Sequence, residues 1–561
     1  MEMFASGLTI SRKRPLASRA LAAALLFAAL LAPAGAATSG DAPANAGEAI
    51  YRHGVMGSGA PLEASREAGV RMQGAAAACV NCHRRSGFGS KEGRIVSPPV
   101  TGRYLFRPLP KNGDDRDIPY VEGMRGDREP YTDATLARAI REGLDSQGKP
   151  LSYLMPNYAL NDTDMASLIG YLKRLDQRRV PGVTDTTLHF ATIITPDADP
   201  VKRRGMLDVL AQFFADRNVR QMGPAPRMLT SGRTSTSRSM FMVHRRWELH
   251  VWELTGPEAS WQEQLERHLA REPVLAVVSG LGGKTWAPVH AFCERAALPC
   301  LFPNVEVPVD SERDFYSLYF SKGVLLEAEL IAKRILEAGN ASKGVQQIYR
   351  AGDIGESGAQ ALAAALERHG IKASNRVLAP DARGEEVAEA LGKAYPADAL
   401  VLWLRPPDVT ALGDAPDTAA SVFMSGLMGG LERAPLPSIW RSRTRLAYPF
   451  DLPDRRRVRV DFALGWFRIR NIPVVADQVQ ADTYLACGLL SETLRHMVDT
   501  FVRDYLIERI EDLIEHRIVT GYYPRLALAP GQRFASKGGY IVRFDGPDSR
   551  RLVADSDWLV P

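Results

Sequence analysis

Cysteine is scarce in this sequence, with 5 among 561 residues, so a small scaffold held together by many disulfides is excluded. Beyond residue 31 no apolar run approaches the roughly 20 residues that a membrane-spanning helix requires. Neither sign of charge predominates, because 70 basic residues stand against 65 acidic ones and the basic clusters are scattered. A concentrated positive surface for nucleic acid is therefore not expected.

One segment departs from this even composition, and it lies at the amino terminus. Basic residues at positions 12, 13, 14 and 19 precede an uninterrupted apolar run over residues 20–31, and the sequence Ala-Gly-Ala follows at 34–36. This three-part order predicts a secretory signal peptide over residues 1–36. The alternative, a membrane anchor, is disfavoured because the run is shorter than the about 20 residues that span a bilayer. We therefore expect a periplasmic protein.

The pattern of the sequence changes near residue 180. A chain of 561 residues is long enough for roughly two to four domains. Up to residue 176 the pattern predicts helices around a cysteine pair, and from residue 187 it predicts alternating strands and helices. We therefore divide the chain into a signal peptide (1–36), a first domain (40–176) and a second domain (187–561).

The most informative motif is Cys79-Val80-Asn81-Cys82-His83. Two thiols at this spacing can add to the two vinyl groups of one haem, and the adjacent imidazole can bind its iron, so the motif indicates one covalent haem c. A redox dithiol would not require His83 and would follow a strand, whereas the preceding residues are nearly all alanine. A zinc site would require a second pair of ligands nearby, which this region of the sequence lacks.

The residues around this motif resemble class I cytochromes c. Residues 47–51 resemble the first helix of that family, residues 163–175 carry apolar side chains at helical spacing like its last helix, and residues 98–102 resemble its Pro-x-Leu-x-Gly loop. The resemblance implies an all-α cytochrome c domain in which these two helices cross. It also implies that the carbonyl oxygen of Pro98 accepts a hydrogen bond from the imidazole of His83, which would orient the ring on the iron.

The iron of such a haem has a second axial position. The residues of this domain that could occupy it are His53, Met72, Met124, Met155 and Met165. Met155 precedes Pro156 just before the predicted last helix, which resembles the Met-Pro pattern of the family, whereas Met165 lies inside that helix, where core packing is expected. The resemblance therefore implies iron bound by His83 and Met155. Such iron has no open position for oxygen or peroxide chemistry, and this favours electron transfer.

Two segments of the first domain are longer than in that family. Residues 54–73 separate the first helix from the cysteine motif, and residues 107–131 are rich in proline, aspartate and glycine. We expect both to form surface loops that cover the haem or dock a partner.

From residue 187 onward, short apolar runs alternate with segments of helical periodicity. Strands are predicted at residues 188–194, 248–254, 274–278, 346–349, 399–404 and 462–467. A long helical region is predicted at residues 476–516. Strands that alternate with helices predict parallel sheets covered on both faces.

This region resembles the type 1 periplasmic substrate-binding proteins of the branched-chain amino acid and amide class, through the segments at residues 274–279, 347–358 and 397–402. The resemblance implies a two-lobed α/β unit that closes on a small molecule at the carboxyl ends of its strands. Ser279, Thr285 and Asn304 lie in loops that would contact such a ligand. The hydroxyl-rich loop of the family is only partly matched here, so the alternatives are a smaller or more apolar ligand than the family's amino acids and a docking scaffold.

Three further cysteines lie in the second domain. Cys293 and Cys300 are separated by a predicted helix end and the start of the next strand, where a disulfide and a pair of thiols both remain open. Cys487 is expected to be a buried apolar thiol.

Two functions of different classes are compatible with these features. The first is a periplasmic electron carrier, in which the haem transfers electrons between redox proteins such as a dehydrogenase and another cytochrome, while the second domain senses a ligand or docks a partner. The alternative is a solute-binding protein of an ABC-type uptake or sensing system, with the haem as a redox module. A haem enzyme such as a peroxidase is disfavoured, and no catalytic residue is predicted.

Overall fold

The computed structural model describes residues 46–66, 69–108, 128–176, 180–222, 245–311, 313–339, 344–392, 397–413, 419–497, 500–516 and 520–561. The predicted signal peptide at residues 1–36 and the candidate ligand Met124 lie outside these ranges. Within them, no helix is both long enough and apolar enough to cross a membrane.

The elements before residue 180 are mostly short. The helices that the described residues form there are α1 (Ala46–His53), α2 (Val80–His83), α3 (Gly102–Phe106), α4 (Asp133–Glu142) and α5 (Asp162–Arg174). The strands there are β1 (Glu63–Ser65), β2 (Arg71–Gln73), β3 (Ser90–Glu92), β4 (Ile95–Ser97) and β5 (Asn157–Tyr158). Turns and side-chain packing therefore carry much of the structure in this part of the chain.

The chain divides into two compact units. The amino-terminal unit comprises Met1–Cys79, Asp133–Leu144 and Lys149–Tyr171. The main unit comprises Val80–Thr132, Asp145–Gly148 and Leu172–Pro561. His83 therefore belongs to the same compact unit as residues 172–561. The domain limits of 40–176 and 187–561 stay a prediction.

Helices α1 and α5 cross closely within the amino-terminal unit. A Cβ atom on Gly47 would lie 2.1 Å from the carbonyl oxygen of Ser167, so only glycine permits this approach. Tyr51 and Tyr171 pack beside the crossing, with their ring centroids 5.4 Å apart. Asn161 caps α5, because its Oδ1 accepts a hydrogen bond of 2.8 Å from the backbone N–H three residues later.

A small antiparallel sheet accompanies these helices, with the strand order β2-β1-β5. The expectation of an all-α domain is wrong in this respect. Part of the segment 54–73, expected to be a loop, pairs as β1 and β2, with Ala64 opposite Met72. Tyr158 pairs with Ala64 from the other side. The sheet satisfies backbone groups that a long insertion would otherwise leave to solvent or to side chains.

The main unit contains the longer elements. Its helices beyond residue 180, among the described residues, are α6 (Pro200–Met222), α7 (Trp261–Arg271), α8 (Ala287–Arg295), α9 (Val324–Ala338), α10 (Gly355–Glu367), α11 (Gly384–Gly392), α12 (Pro406–Thr410), α13 (Gly426–Gly429), α14 (Ser438–Arg441), α15 (Pro453–Ile469), α16 (Asp477–Met497) and α17 (Arg503–Ile514). Its strands there are β6 (Thr187–Ile194), β7 (Arg246–Glu253), β8 (Ala276–Val278), β9 (Cys300–Leu301), β10 (Ser317–Leu318), β11 (Val345–Arg350), β12 (Ala373–Leu378), β13 (Ala397–Trp403), β14 (Ala419–Ser425), β15 (Thr444–Tyr448), β16 (Tyr540–Phe544) and β17 (Leu552–Ala554).

These strands form two separate sheets. The first has the order β10-β9-β8-β6-β7 and is parallel throughout. The second has the order β12-β11-β13-β14-β15-β16-β17, and its last two strands run antiparallel to the rest. The chain passes between the sheets after β10, between α15 and α16, and before β16. The predicted two-lobed α/β architecture is therefore confirmed, and each lobe is built on one sheet.

Most predicted strands occur within two or three residues of their expected positions, but one prediction is wrong. Residues 462–467 lie inside α15 rather than in a strand. Pro453 occupies the first turn of that helix, which suits its fixed φ. Phe467 is buried whereas Phe462 is 62% exposed, so the apolar run includes an exposed face of the helix. Six residues are too few for periodicity to distinguish such a helix from a strand.

Strand β7 lies at the edge of the first sheet between two apolar layers. Trp247 packs against Phe190 and Phe214 on the side of α6, with ring centroids 5.1 and 5.4 Å away. Trp252 is fully buried on the opposite side, in a core cluster with Trp261 of α7. Both faces of this edge strand are therefore anchored by an indole.

Candidate functional site

The cysteine motif begins helix α2, which spans Val80–His83. Cys82 lies within this helix and Cys79 directly precedes it, and both thiols are half-buried. A single turn thus carries Cys82 and His83, as attachment of one haem beside its axial ligand requires.

The imidazole of His83 is buried and hydrogen-bonded. The residue is 7% exposed, and its Nδ1 lies 2.9 Å from the carbonyl oxygen of Pro98. Because a carbonyl oxygen only accepts, Nδ1 carries the proton and Nε2 carries the lone pair. Burial lowers the pKa of His83, although the bond to Pro98 opposes this shift. The ring is therefore neutral at neutral pH, which is the form that binds a metal.

A tight hairpin brings Pro98 to His83. Strands β3 and β4 pair antiparallel, and Gly89 before them adopts a φ of +83°. A Cβ atom on Gly89 would lie 2.0 Å from the carbonyl oxygen of Ser97. The backbone N–H of Gly89 also donates to the carbonyl oxygen of His83 at 3.1 Å. Glycine at this position therefore lets the hairpin fold back on α2.

Helix α17 anchors the residues after His83 within the main unit. Arg84 forms an ion pair with Glu511, and Glu511 also pairs with Arg533 at 2.6 Å. The backbone N–H of Ser86 donates to Glu508 at 3.0 Å, and burial raises the pKa of Glu508 to about 8. Sequence analysis missed these partners because they lie more than 400 positions away and carry no motif.

The ring of Phe88 extends the same anchor. It packs against Tyr505 of α17 with centroids 4.6 Å apart, and against Tyr104 of α3 at 6.1 Å. Phe88 is 2% exposed and belongs to the same core cluster as the first sheet. The segment that follows His83 is therefore anchored in the core of the main unit through Phe88.

Met155 lies in a turn of the amino-terminal unit, where its N–H donates to the carbonyl oxygen of Ser152 at 2.9 Å. It is half-buried. Among the other candidate ligands, Met165 is 2% exposed within α5, as core packing requires, and His53 is exposed at the end of α1. Met72 lies on β2. Axial binding by Met155 stays a prediction.

The residues present fit a covalent haem c. A buried neutral imidazole is fixed through Nδ1, so its Nε2 can bind iron, and two cysteines flank one turn immediately before it. Cys79, Cys82 and His83 would hold the group, and Pro98 would orient the imidazole.

The structure joins Ser279 and Asn304 by a hydrogen bond, whereas Thr285 is hydrogen-bonded to the start of α8. Asn304 Nδ2 donates to Ser279 Oγ at 3.0 Å, after strands β9 and β8 respectively. Ser279 Oγ also lies 2.8 Å from Thr483 Oγ1 on α16. Thr285 instead accepts a hydrogen bond of 3.2 Å from the N–H of Ala287 at the start of α8. The sequence did not predict a role for Thr483, because a helical pattern alone does not distinguish it from the other polar residues of α16.

Side chains of the chain itself bridge the two lobes at the carboxyl ends of their strands. Arg405, after β13, pairs with Glu306 at 3.1 Å and with Asp353 at 2.9 Å. Lys202 approaches Glu306 to 2.5 Å. Burial pushes the pKa of Glu306 upward, but Lys202 and Arg405 lower it more, so the carboxylate is charged. Four charged groups thus occupy the region where a cleft ligand is predicted.

The remaining cysteines are buried in the main unit. Cys293 and Cys300 are thiols in contact with each other, and burial followed by this hydrogen bond raises the pKa of Cys293. Burial likewise raises the pKa of Cys487, as expected for an apolar thiol.

Three solved structures with a similar fold carry names of substrate-binding or amino-acid-binding proteins. A fatty acid ABC transporter substrate-binding protein from Thermomonospora curvata is 15% identical, covers 68% of this chain and 95% of its own, and has a TM-score of 0.47. A possible leucine/isoleucine/valine-binding protein from Rhodopirellula baltica SH 1 is 15% identical over 68% of this chain and 98% of its own, with a TM-score of 0.46. A branched-chain amino acid transporter substrate binding protein from Streptococcus pneumoniae, in complex with isoleucine, is 11% identical over 67% of this chain and 100% of its own, with a TM-score of 0.46.

No family model matches the sequence. No curated protein matches it either. Because these similarities are low, the two-lobed architecture rests on the order of the strands in the two sheets and on the three places where the chain passes from one sheet to the other. None of the three neighbours is named as a haem protein, so the predicted haem takes no support from them.

Proposed function

We propose that the protein is a periplasmic carrier of one haem c, which transfers electrons between redox proteins and uses its two-lobed unit for partner docking or ligand sensing. The observation that carries this proposal is the hydrogen bond of 2.9 Å between His83 Nδ1 and the Pro98 carbonyl oxygen, directly after two suitably spaced cysteines. A bound haem supplies a reversible one-electron carrier.

The residues of the chain prepare this site for electron transfer rather than for substrate chemistry. The anchored imidazole of His83 keeps one orientation, because its Nδ1 proton is held by a backbone oxygen. Contacts of the following residues with α17 embed the segment in a folded core, which limits its rearrangement. A rigid site changes little between two oxidation states, and a small rearrangement suits an electron carrier.

The test is covalent haem content in full-length protein purified from a periplasm able to attach haem. We expect haem to stay bound after denaturation, to be lost in Cys79→Ser/Cys82→Ser, and to be kept in the control Cys487→Ala. Mass spectrometry of the peptide around residue 80 would identify the attachment site. An unmodified peptide from the wild-type protein, produced where other cytochromes c mature, would contradict the proposal.

The spectrum of the loaded protein tests Met155 separately. We expect a low-spin spectrum with the weak long-wavelength sulfur-to-iron band in the oxidised form, and loss of that band in Met155→Ala. The matched control is Met165→Leu, a core position. A high-spin wild-type spectrum that the Met155 substitution leaves unchanged would point to a different sixth position.

The second candidate function is binding of a small molecule by the two lobes, as in an ABC-type uptake system. Its support is the pair of sheets joined by three crossings, with Ser279 and Asn304 together at the carboxyl ends of two strands. Leucine, isoleucine, valine and a fatty acid are the compounds to try first, because they are small apolar molecules that the names of the three neighbours mention.

Ligand-induced stabilisation distinguishes this candidate. A ligand bound only by the folded protein at 100 times its Kd raises the free energy of unfolding by about 2.7 kcal/mol. We expect such a shift to disappear in Asn304→Ala and to persist in Thr285→Ala if the lobes bind a solute. No shift with any of these compounds would leave the lobes as a docking unit.

A further inference from the structure

The first sheet places two histidines and a glutamate on one face, away from the sites described above. His189 is the third residue of β6, and Glu248 and His250 lie on the neighbouring strand β7. The parallel register sets His189 opposite Glu248. Because side chains alternate along a strand, Glu248 and His250 share a face with each other and with His189. This position is near the amino ends of the strands, opposite the predicted ligand cleft.

The ligand atoms of these three residues converge. His189 Nδ1 lies 3.1 Å from His250 Nε2, and His250 Nε2 lies 3.9 Å from Glu248 Oε1. One ligand atom from each residue lies within 4.8 Å of the others. Ligands around a tetrahedral zinc ion with bonds of about 2.0–2.1 Å are about 3.3 Å apart. The cluster therefore needs only small side-chain adjustments to enclose an ion.

A second carboxylate orients the central imidazole. Glu272 Oε2 lies 3.5 Å from His250 Nδ1, and it also accepts a hydrogen bond of 2.9 Å from Trp252 Nε1. A proton on His250 Nδ1 directed toward Glu272 leaves Nε2 as the nitrogen with the lone pair, which faces His189 and Glu248. Metal-binding histidines typically direct their other nitrogen to a carboxylate in this way.

The exposure of the cluster suits an ion that enters from solvent. His189 and His250 are half-buried, and the side chain of Glu248 is 47% exposed. The buried indole of Trp252 supports the site from below, since its ring nitrogen fixes Glu272. Two imidazoles and one carboxylate leave a fourth position to water, which is the composition of open zinc sites.

A hydrogen bond between the two histidines is the simpler explanation for the distance of 3.1 Å between them. That bond alone does not account for Glu248 beside His250 Nε2 or for Glu272 on the opposite nitrogen. Each of the two carboxylates has a defined role if an ion lies between the rings. The donor set favours zinc or copper over magnesium or calcium, which prefer oxygen ligands.

We propose that His189, Glu248 and His250 bind a zinc-class transition-metal ion at the edge of the first lobe, with Glu272 positioning His250. The site is separate from the proposed haem attachment and does not depend on it. Within the described residues these are the groups of histidine, cysteine and acid that converge closely enough to hold an ion.

The experiment is calorimetric titration of Zn²⁺ into tag-free, chelator-treated full-length protein, repeated with Co²⁺ to observe its ligand-field absorbance. We expect one equivalent bound, at least 100-fold weaker binding in His250→Ala and His189→Ala, and 10- to 100-fold weaker binding in Glu272→Gln. The control His369→Ala changes an exposed histidine of the second lobe and is expected to bind as the wild type.

Circular dichroism and the midpoint of urea denaturation of each variant show whether the fold is kept. Weakened zinc binding by variants that keep both supports the site, as does failure of Mg²⁺ and Ca²⁺ to compete. Absence of stoichiometric Zn²⁺ and Cu²⁺ binding by the wild type, or binding that His189→Ala and His250→Ala leave unchanged, would overturn the proposal.

Discussion

At the scale of single residues, His83 illustrates how the chain fixes one nitrogen of a buried imidazole and leaves the other able to bind a metal. The Pro98 carbonyl accepts the Nδ1 proton at 2.9 Å, and the hairpin that presents it depends on Gly89. The orientation of the ring therefore rests on the absence of a side chain six positions later.

Gly89→Ala tests this dependence. The new Cβ would meet the Ser97 carbonyl at 2.0 Å and would require a positive φ, so we expect a loss of roughly 1–3 kcal/mol in the free energy of unfolding. Urea denaturation provides the measurement. The control is Gly93→Ala in the same hairpin, where φ is +60° but no atom lies within 4 Å. Equal losses in both variants would show that the close approach is unimportant.

Glu327 provides a second residue-scale prediction, because burial raises its pKa to about 8 although Ser425 and the Leu427 N–H donate to it. The folded protein then holds a proton that the unfolded chain has released above pH about 4–5. Stability is therefore largest below the unfolded pKa and falls as the pH rises toward 8, by on the order of 1.4 kcal/mol per pH unit.

Glu327→Gln removes this titration. We expect the difference between the free energies of unfolding at pH 5.5 and pH 8 to shrink relative to the wild type, as measured by chemical denaturation. The control Glu329→Gln changes a carboxylate two positions along the same helix that is 33% exposed and pairs with Lys322. An unchanged pH dependence in Glu327→Gln would contradict the assignment.

At the scale of elements, α17 holds the segment that follows His83. The side chains of Arg84 and Glu511 are 12% and 2% exposed, so their ion pair is largely shielded from solvent. Removal of one partner from a buried pair costs about 3–5 kcal/mol, although Arg533 remains beside Glu511 and reduces that loss.

Arg84→Ala is therefore expected to lower the free energy of unfolding by roughly 2–3 kcal/mol in urea denaturation. Arg525→Ala breaks a solvent-exposed pair with Glu515, where the arginine side chain is 71% exposed, and should cost less than about 1 kcal/mol. Similar losses in the two variants would mean that α17 does not support the segment.

The crossing of α1 and α5 yields a prediction for a pair of helices. Gly47→Ala places a Cβ 2.1 Å from a backbone oxygen, so we expect a loss of roughly 1–3 kcal/mol, measured by thermal and urea denaturation. Gly465→Ala in α15 meets no atom within 4 Å and should be neutral or stabilising by up to about 1 kcal/mol. Equal effects would contradict close helix packing at Gly47.

These elements also show how far a sequence predicts structure. Apolar runs such as residues 188–194 predicted strands, and the resemblance of residues 98–102 to a loop of class I cytochromes c predicted the hydrogen bond between His83 and Pro98. Local patterns could not identify Glu508 or Thr483, since each is one polar residue of an amphipathic helix that meets its partner through tertiary packing. The strand predicted at residues 462–467 was wrong for a related reason, because a short apolar run fits the periodicity of a strand and that of a helix equally well.

At the scale of the whole molecule, the lobes are linked by charges as well as by the three crossings. Arg405→Ala removes the contacts with Glu306 and Asp353, and we expect faster hydrogen exchange in peptides that cover the crossings near residues 319–324 and 536–540. Arg551→Ala is the control, since its side chain is 62% exposed and pairs with Asp454 within the second lobe. Unchanged exchange in Arg405→Ala would show that the crossings alone hold the lobes.

The anchoring of the cysteine motif by α17 has a consequence for how the protein is made. Arg84 and Glu511 are separated by 427 positions, so a chain exported from its amino end, as the proposed function requires, presents the motif long before α17 arrives. During that interval the thiols are open to the machinery that ligates haem. Once α17 docks, Arg84 and Ser86 are held in the folded core, and the half-buried thiols before them become less accessible. Under the proposed function, a mutation that speeds folding of the carboxyl-terminal half would therefore reduce the yield of mature cytochrome without touching the motif.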